Sequence, residues 1–144
     1  LNRTRGNTGV ILQSMDENDL REVARLPYSL LISDALYGPG ATHPRLYGAF
    51  PRAIRQMVCQ KHVLTLEEAI RKMSYLPTKR IGLEERGQIR EGMRADVLVF
   101  DPEKLQDLAT YENPRVLSSG MEHVYVGGRD ALTERTPNGT LLRK

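Results

Sequence analysis

A single cysteine, Cys59, stands in the 144 residues, so no internal disulfide can form and nothing indicates an oxidising compartment. The expected location is the cytoplasm. Long apolar runs are missing too: none approaches the roughly 18 residues that span a bilayer, and the start LNRTRGNTGV lacks the apolar centre of a signal peptide. No membrane partner is expected. That start also lacks a methionine, which points to a chain beginning in the middle of a longer one. Charge of one sign is scarce, because the net +3 comes from arginines and lysines scattered among acids rather than gathered into a basic stripe. Nucleic acid is not expected as a partner. No HxH, HExxH or CxxC spacing occurs, and a catalytic zinc needs three protein ligands, so this chain alone cannot build such a site. A glycine-rich phosphate loop and a serine-centred nucleophile elbow are equally absent.

What is present has the balance of a folded globular protein, with 40% hydrophobic and 27% charged residues. The length suits one ordinary domain or two small ones and falls short of a complete α/β barrel of about 250 residues. NTGVILQSM is short and β-branched, which predicts a strand over 8–14. DENDLREVARLP offers Asp16 as a cap, acids in the first turn, Leu20, Val23 and Ala24 at helical spacing, and Pro27 as a stop. SLLIS, an aliphatic run without alternation, predicts a second strand, over 29–33, of a sheet covered on both faces. Pro51 can occupy a first helical turn, with Ala53, Ile54, Met57 and Val58 on one face of a helix reaching about His62. In TLEEAIRKMSYLP, Thr65 and Glu68 make a capping box; Leu66, Ala69, Ile70 and Met73 form the stripe, and Pro77 is the expected stop.

From about residue 84 the pattern changes to strands and turns. ADVLVFD reads as a strand, MEHVYVGGRDAL as a hairpin around Gly127 and Gly128, and PNGTLL as a further turn. The fold class is therefore α/β: strand-helix-strand-helix followed by antiparallel strands. With no flexible linker between them, the two parts are expected to pack directly on one another.

In a parallel sheet, functional groups gather at the carboxyl ends of strands. Asp34 ends SLLIS, and the loop behind it brings Tyr37, His43, Arg45 and Tyr47 close in sequence: a proton carrier, an anion clamp and hydrogen-bonding aromatics. Two readings stay open here. Asp34 is a catalytic carboxylate, or it caps a turn while Arg45 pairs with a surface acid. Pro44 directs His43 towards an extended backbone and its ring towards the loop exterior. His62 at a helix end and His123 beside a strand read as structural, and Cys59 as a small buried filler.

Several stretches together carry a resemblance. GQIREGMRADVLVFDPEKLQD resembles the segment by which amidohydrolase-superfamily enzymes return from barrel to small β domain. SDALYGPGATHPRLYGAFPRAIR, LTLEEAIRKMSYLPTKRIGL and ATYENPRVLSSGMEHVYVGG are similar to the carboxyl-terminal third of N-acyl-D-amino-acid deacylases, the D-aminoacylases. The resemblance implies the last two βα units of a TIM-like barrel over residues 1–83 and strands of a small C-terminal β-sandwich over 84–144. It implies hydrolysis of N-acyl-D-amino acids with Zn2+ as cofactor, most metal ligands lying upstream of this chain. Asp34 becomes the general acid/base and a candidate ligand for a second metal ion only. Arg45, His43 and Tyr47 become candidates for binding the substrate, and the upstream part of the barrel becomes a partner. A dihydroorotase-like or imidazolonepropionase-like hydrolase of cyclic amides, and a non-catalytic assembly module, are the alternatives.

Overall fold

A computed structural model describes residues 14–38, 42–134, 137 and 139–142. The strand expected over 8–14 lies outside these residues except for Ser14, and the expected PNGTLL turn lies partly outside them. Helix α1 (Glu17–Arg25) begins where the sequence suggests, because Asp16 takes an extended backbone and its carboxylate accepts the Asn18 amide hydrogen at 2.7 Å. Glu17 and Asp19 place negative charge at the positive end of the helix dipole. Of its expected stripe only Ala24 is buried; Leu20 and Val23 are exposed.

Two of the expected helix boundaries are displaced, and both involve proline. Helix α2 (Arg45–Ala53) starts six residues before Pro51 and continues without a break into a π-helical stretch (Ile54–Gln60). Pro51 therefore lies inside a helix rather than in its first turn. The second helix opens as α3 (Leu66–Ile70), with the Thr65 hydroxyl accepting the Glu68 amide hydrogen at 3.2 Å as an N-cap, while the Glu68 carboxylate takes Arg71 at 2.7 Å in place of the return bond of the expected capping box. It passes through a π-helical stretch (Arg71–Tyr75) into α4 (Leu76–Ile81), so Pro77 does not stop it. Pro77 falls at the start of α4, directly after the wider π turns, where a missing N–H interrupts the ladder least. The actual stop is Gly82, left-handed at φ +75°.

Ala24, Met57, Leu64 and Ala69 form the core between these helices, with Leu31, Val58, Val63 and Met73 packed around it. The stripe expected on α3 needs one correction: Ile70 is exposed, whereas Lys72 is wholly buried. Its ammonium donates to the Leu26 carbonyl, to Ser29 Oγ at 2.9 Å and to the Ser29 carbonyl at 3.3 Å, with Glu68 3.7 Å away. Those acceptors compensate the loss of water that burial imposes on a charge. The Leu31 amide donates to the Lys72 carbonyl at 3.2 Å, so side chain and backbone of one residue hold the start of the segment that leads to Asp34. That segment, 29–33, lacks a strand ladder, and no parallel pair occurs among the described residues. A strand is defined by its neighbour, and here Lys72 is the neighbour instead.

The later residues form a three-stranded antiparallel sheet in the order β1 (Val97–Phe100), β2 (Met121–Val126), β3 (Arg129–Asp130). A short helix, α5 (Ala131–Glu134), follows. Val97 pairs with Tyr125 and Val99 with His123; the register then slips so that Phe100 faces Met121. Gly127 (φ +58°) and Gly128 (φ +81°) make the two-residue turn between β2 and β3, which needs positive φ at both positions. Asp96 accepts the Gly127 amide hydrogen at 2.8 Å and pairs with Arg86, while the Ala95 carbonyl accepts the Gly128 amide hydrogen at 2.9 Å. Among the described residues, no helix is long and apolar enough to cross a membrane.

Candidate active site

Asp34 takes the left-handed backbone at φ +47°, a conformation that aspartate tolerates better than most residues. Its side chain is 73% exposed, and one carboxylate oxygen lies 2.8 Å from Arg45 Nη2. Arg45 occupies the first position of α2, so the helix start fixes where its guanidinium fork stands. The catalytic candidate and the anion-clamp candidate thus form one ion pair, and the surface acid that Arg45 finds is Asp34 itself.

His43 differs from its expected outward orientation. Its ring is half-buried, its Nδ1 accepts the Arg45 backbone N–H at 3.0 Å, and its Nε2 lies 3.4 Å from the Tyr111 hydroxyl, with the rings edge-on at 5.3 Å. The bond to the helix start draws the imidazole inward. Desolvation, followed by the nearby charges of Arg45 and Arg52, pushes the His43 pKa below the ordinary imidazole value. Tyr47 sits one turn into α2 with its ring edge-on to Tyr37, the centroids 6.4 Å apart.

A cleft of about 740 Å³ opens beside this group, lined by His43, Arg45, Arg52 and Tyr111, with Arg21 and Lys61 among the other lining residues. Asp34 is not among the lining residues; it joins the cleft's rim through Arg45. The remaining candidates stand apart. His62 is exposed just past the helix end at φ +48°, and His123 lies within β2 with Nδ1 2.7 Å from Asp130. Cys59 is half-buried and free, its thiol donating to the Pro102 carbonyl at 3.4 Å. Among the described residues no three of His, Cys, Asp and Glu converge as a metal site would require. The described donor set therefore does not fit a zinc ion.

Residues 107–118 also reach this site, although no spacing within them points to a functional role. Tyr111 meets His43, Arg115 donates to the Gly38 carbonyl at 2.8 Å, and Ser118 donates to the Tyr47 carbonyl at 2.8 Å. One signal was available for the last contact. Pro51 lacks the N–H that a regular helix would give to the carbonyl four residues earlier, so Tyr47 needs another donor.

A family model described as the Amidohydrolase family matches residues 8–130. N-acyl-D-glutamate deacylase of Alcaligenes xylosoxydans xylosoxydans is 38% identical over 139 residues, which are 94% of this chain and 28% of the relative. A solved D-aminoacylase structure, from work on its binuclear metal centre, superposes with a TM-score of 0.79 at 36% identity, covering 88% of this chain and 27% of that one. N-acyl-D-glutamate deacylase from Bordetella bronchiseptica, complexed with zinc and a phosphonate mimic of the tetrahedral intermediate, gives 0.80 at 35% identity, covering 87% and 26%. The chain spans little more than a quarter of the length of these relatives.

Proposed function

The chain belongs to the amidohydrolase family, and from that premise we propose that it is the part of an N-acyl-D-amino-acid deacylase that carries the general acid/base, Asp34. The complete enzyme hydrolyses a linear N-acyl-D-amino acid to a carboxylate and a free D-amino acid. Similarity to deacylases of this kind over most of the chain supports the substrate class. Residues 1–83 supply the last two βα units of the barrel and residues 84–144 the strands of a small β-sandwich. The ligands of a zinc ion come from polypeptide outside residues 1–144, and the barrel that contains them is the partner of this chain. The free Cys59 thiol suits a cytoplasmic location.

The observation that carries the reading is the Asp34–Arg45 pair, an exposed carboxylate aimed by a helix-borne guanidinium. As water attacks the amide carbonyl carbon, the Asp34 carboxylate takes the water's proton. The resulting carboxylic acid returns that proton to the amide nitrogen as the carbon–nitrogen bond breaks, leaving carboxylate and amine. Arg45 holds the carboxylate in position and, being 40% exposed, keeps part of its fork open to the substrate's own carboxylate. His43 lines the same cleft as Arg45, and Tyr47, edge-on to Tyr37 and outside that lining, is the remaining substrate-binding candidate. Asp34→Asn in the complete enzyme keeps the shape but cannot take the proton, so kcat falls by about 10²–10⁴-fold with KM little changed. Unaltered turnover in that variant removes Asp34 from the chemistry.

A further inference from the structure

Four side chains from residues 107–118 reach across the chain to α2 and to the loop before it. Asp107 is 5% exposed, accepts from Arg55 Nε at 2.6 Å and lies 3.7 Å from Arg52. Arg115 and Ser118 hold the Gly38 and Tyr47 carbonyls, and Tyr111 faces His43. The approach is close: a Cβ on Gly48 would stand 3.3 Å from the Asp107 Cβ, so glycine at that helix position lets the two segments meet.

From Tyr111 the contacts continue to the carboxylate. The His43 Nδ1 accepts the Arg45 amide hydrogen at 3.0 Å, and Arg45 Nη2 holds Asp34 at 2.8 Å. A histidine nitrogen accepts only while it carries no proton, so in this ring the hydrogen sits on Nε2, the nitrogen facing the Tyr111 oxygen. The Arg45 amide is one of the donors at a helix start that have no partner within the helix, and His43 supplies that partner. We infer that Tyr111 is a positioning residue for Asp34: its hydroxyl steadies the His43 ring, the ring caps the start of α2, and the helix start aims Arg45 at the carboxylate. The inference rests on Asp34 being the proton-transfer group. At 3.4 Å the Tyr111 contact is long, so its effect is modest.

Tyr111→Phe keeps the ring and removes the hydroxyl. Amide hydrogen exchange in the complete enzyme is expected to quicken at Arg45 by about three- to ten-fold while Ala69, in the helical core, is unchanged. The variant's kcat falls by a similar factor with KM held, and the fall disappears in a His43→Ala background. Unchanged exchange at Arg45, equal quickening at Ala69, or a full effect of Tyr111→Phe without His43 each overturns the inference. Wild-type turnover in Asp34→Asn fells the reading of Asp34 instead, and exchange at Arg45 still decides whether Tyr111 steadies the helix start.

Discussion

Residues 29–38 and 105–118 both run largely without helix or ladder, yet they are held in opposite ways. The first leaves Ile32, Leu36 and Tyr37 exposed and carries a solvent-facing carboxylate at its middle. It is gripped near its base by Lys72 and at its far end by Arg115. The second is anchored along its length: Leu105 and Ala109 are buried, Asp107 is enclosed by two arginines, and Tyr111 and Ser118 are bonded to the α2 region. Each segment supplies the aspartate of a pair with an arginine elsewhere, Asp34 with Arg45 and Asp107 with Arg55. Asp34 is 73% exposed and Asp107 5%, so the same pairing presents a reactive group in one place and fastens two segments in the other. Regular backbone bonds are not required for order when side chains supply the missing partners.

The comparison breaks first at Lys72, which fixes the base of the exposed segment. Lys72→Met keeps the volume but takes the lysine's hydrogen bonds from the Ser29 carbonyl and hydroxyl, while the Leu26 carbonyl keeps the Ser29 N–H at 3.1 Å and the Ser29 hydroxyl at 2.9 Å. We expect a loss of about 3 kcal/mol, read from urea unfolding followed by circular dichroism. A change below about 1 kcal/mol would mean that water takes over the Ser29 carbonyl. Next in size is Asp107→Ala, which strips the half-buried Arg55 of its partner and is expected to cost about 2 kcal/mol by the same measurement. Asp107→Asn keeps an acceptor for Arg55 and is expected to cost about half as much. Equal losses for the two would assign the effect to the carboxylate's charge, which both variants lack, because the Cβ that meets Gly48 is present in each.

Ser118→Ala has a smaller expected effect, about 1 kcal/mol, because it removes one neutral hydrogen bond and orphans the Tyr47 carbonyl. Restoring a backbone donor at residue 51 sharpens the point. In a Pro51→Ala background the helix can bond Tyr47 itself, and Ser118→Ala should then cost clearly less in the same unfolding assay. An undiminished cost would show that the hydroxyl stabilises something other than the carbonyl that proline left open.

The elements whose causes lie within a few residues were legible in the sequence. The Asp16 cap, the Thr65 cap and the Gly127–Gly128 turn need only local chemistry, and each stands where its residues indicate. The proline boundaries were misleading because what accommodates Pro51 lies 67 residues on, at Ser118. Lys72 was hidden for a similar reason: a lysine on an amphipathic helix reads as solvent-facing until the carbonyls of 26–29 are known to converge on it. The stretch that resembles the amidohydrolase return from barrel to small β domain is instructive in another way. In ADVLVFD, Asp96 pins the β2–β3 turn and Asp101 accepts the Glu103 amide hydrogen at 3.0 Å, so these acids build the fold. The candidate site was legible as a list of residue types, but the Asp34–Arg45 pair and the link through His43 to Tyr111 needed three dimensions.

The smallest expected effect separates the two segments by pH. Burial, Arg45 and Arg52 lower the His43 pKa in the folded state, so between that value and about 6.5 the unfolded chain binds more protons than the folded one. Stability therefore rises with pH across this window and is lost as pH falls below about 6.5, levelling off once the folded-state pKa has been passed. Asp101, whose turn leads into 105–118, behaves oppositely in origin and later in titration. Its hydrogen bond to Lys104, then the one from the Glu103 amide, lowers its pKa, so its contribution holds above about 3.8 and goes only as pH falls through the lower folded value. The loop that meets Asp34 should thus weaken while the other segment is still intact. Urea midpoints at pH 7.5 and 5.5 should differ more for the wild type than for His43→Gln, whose amide does not titrate in this range. Equal differences in the two proteins would mean that the imidazole, although it faces Arg45, Arg52 and Tyr111, does not couple protonation to the start of α2.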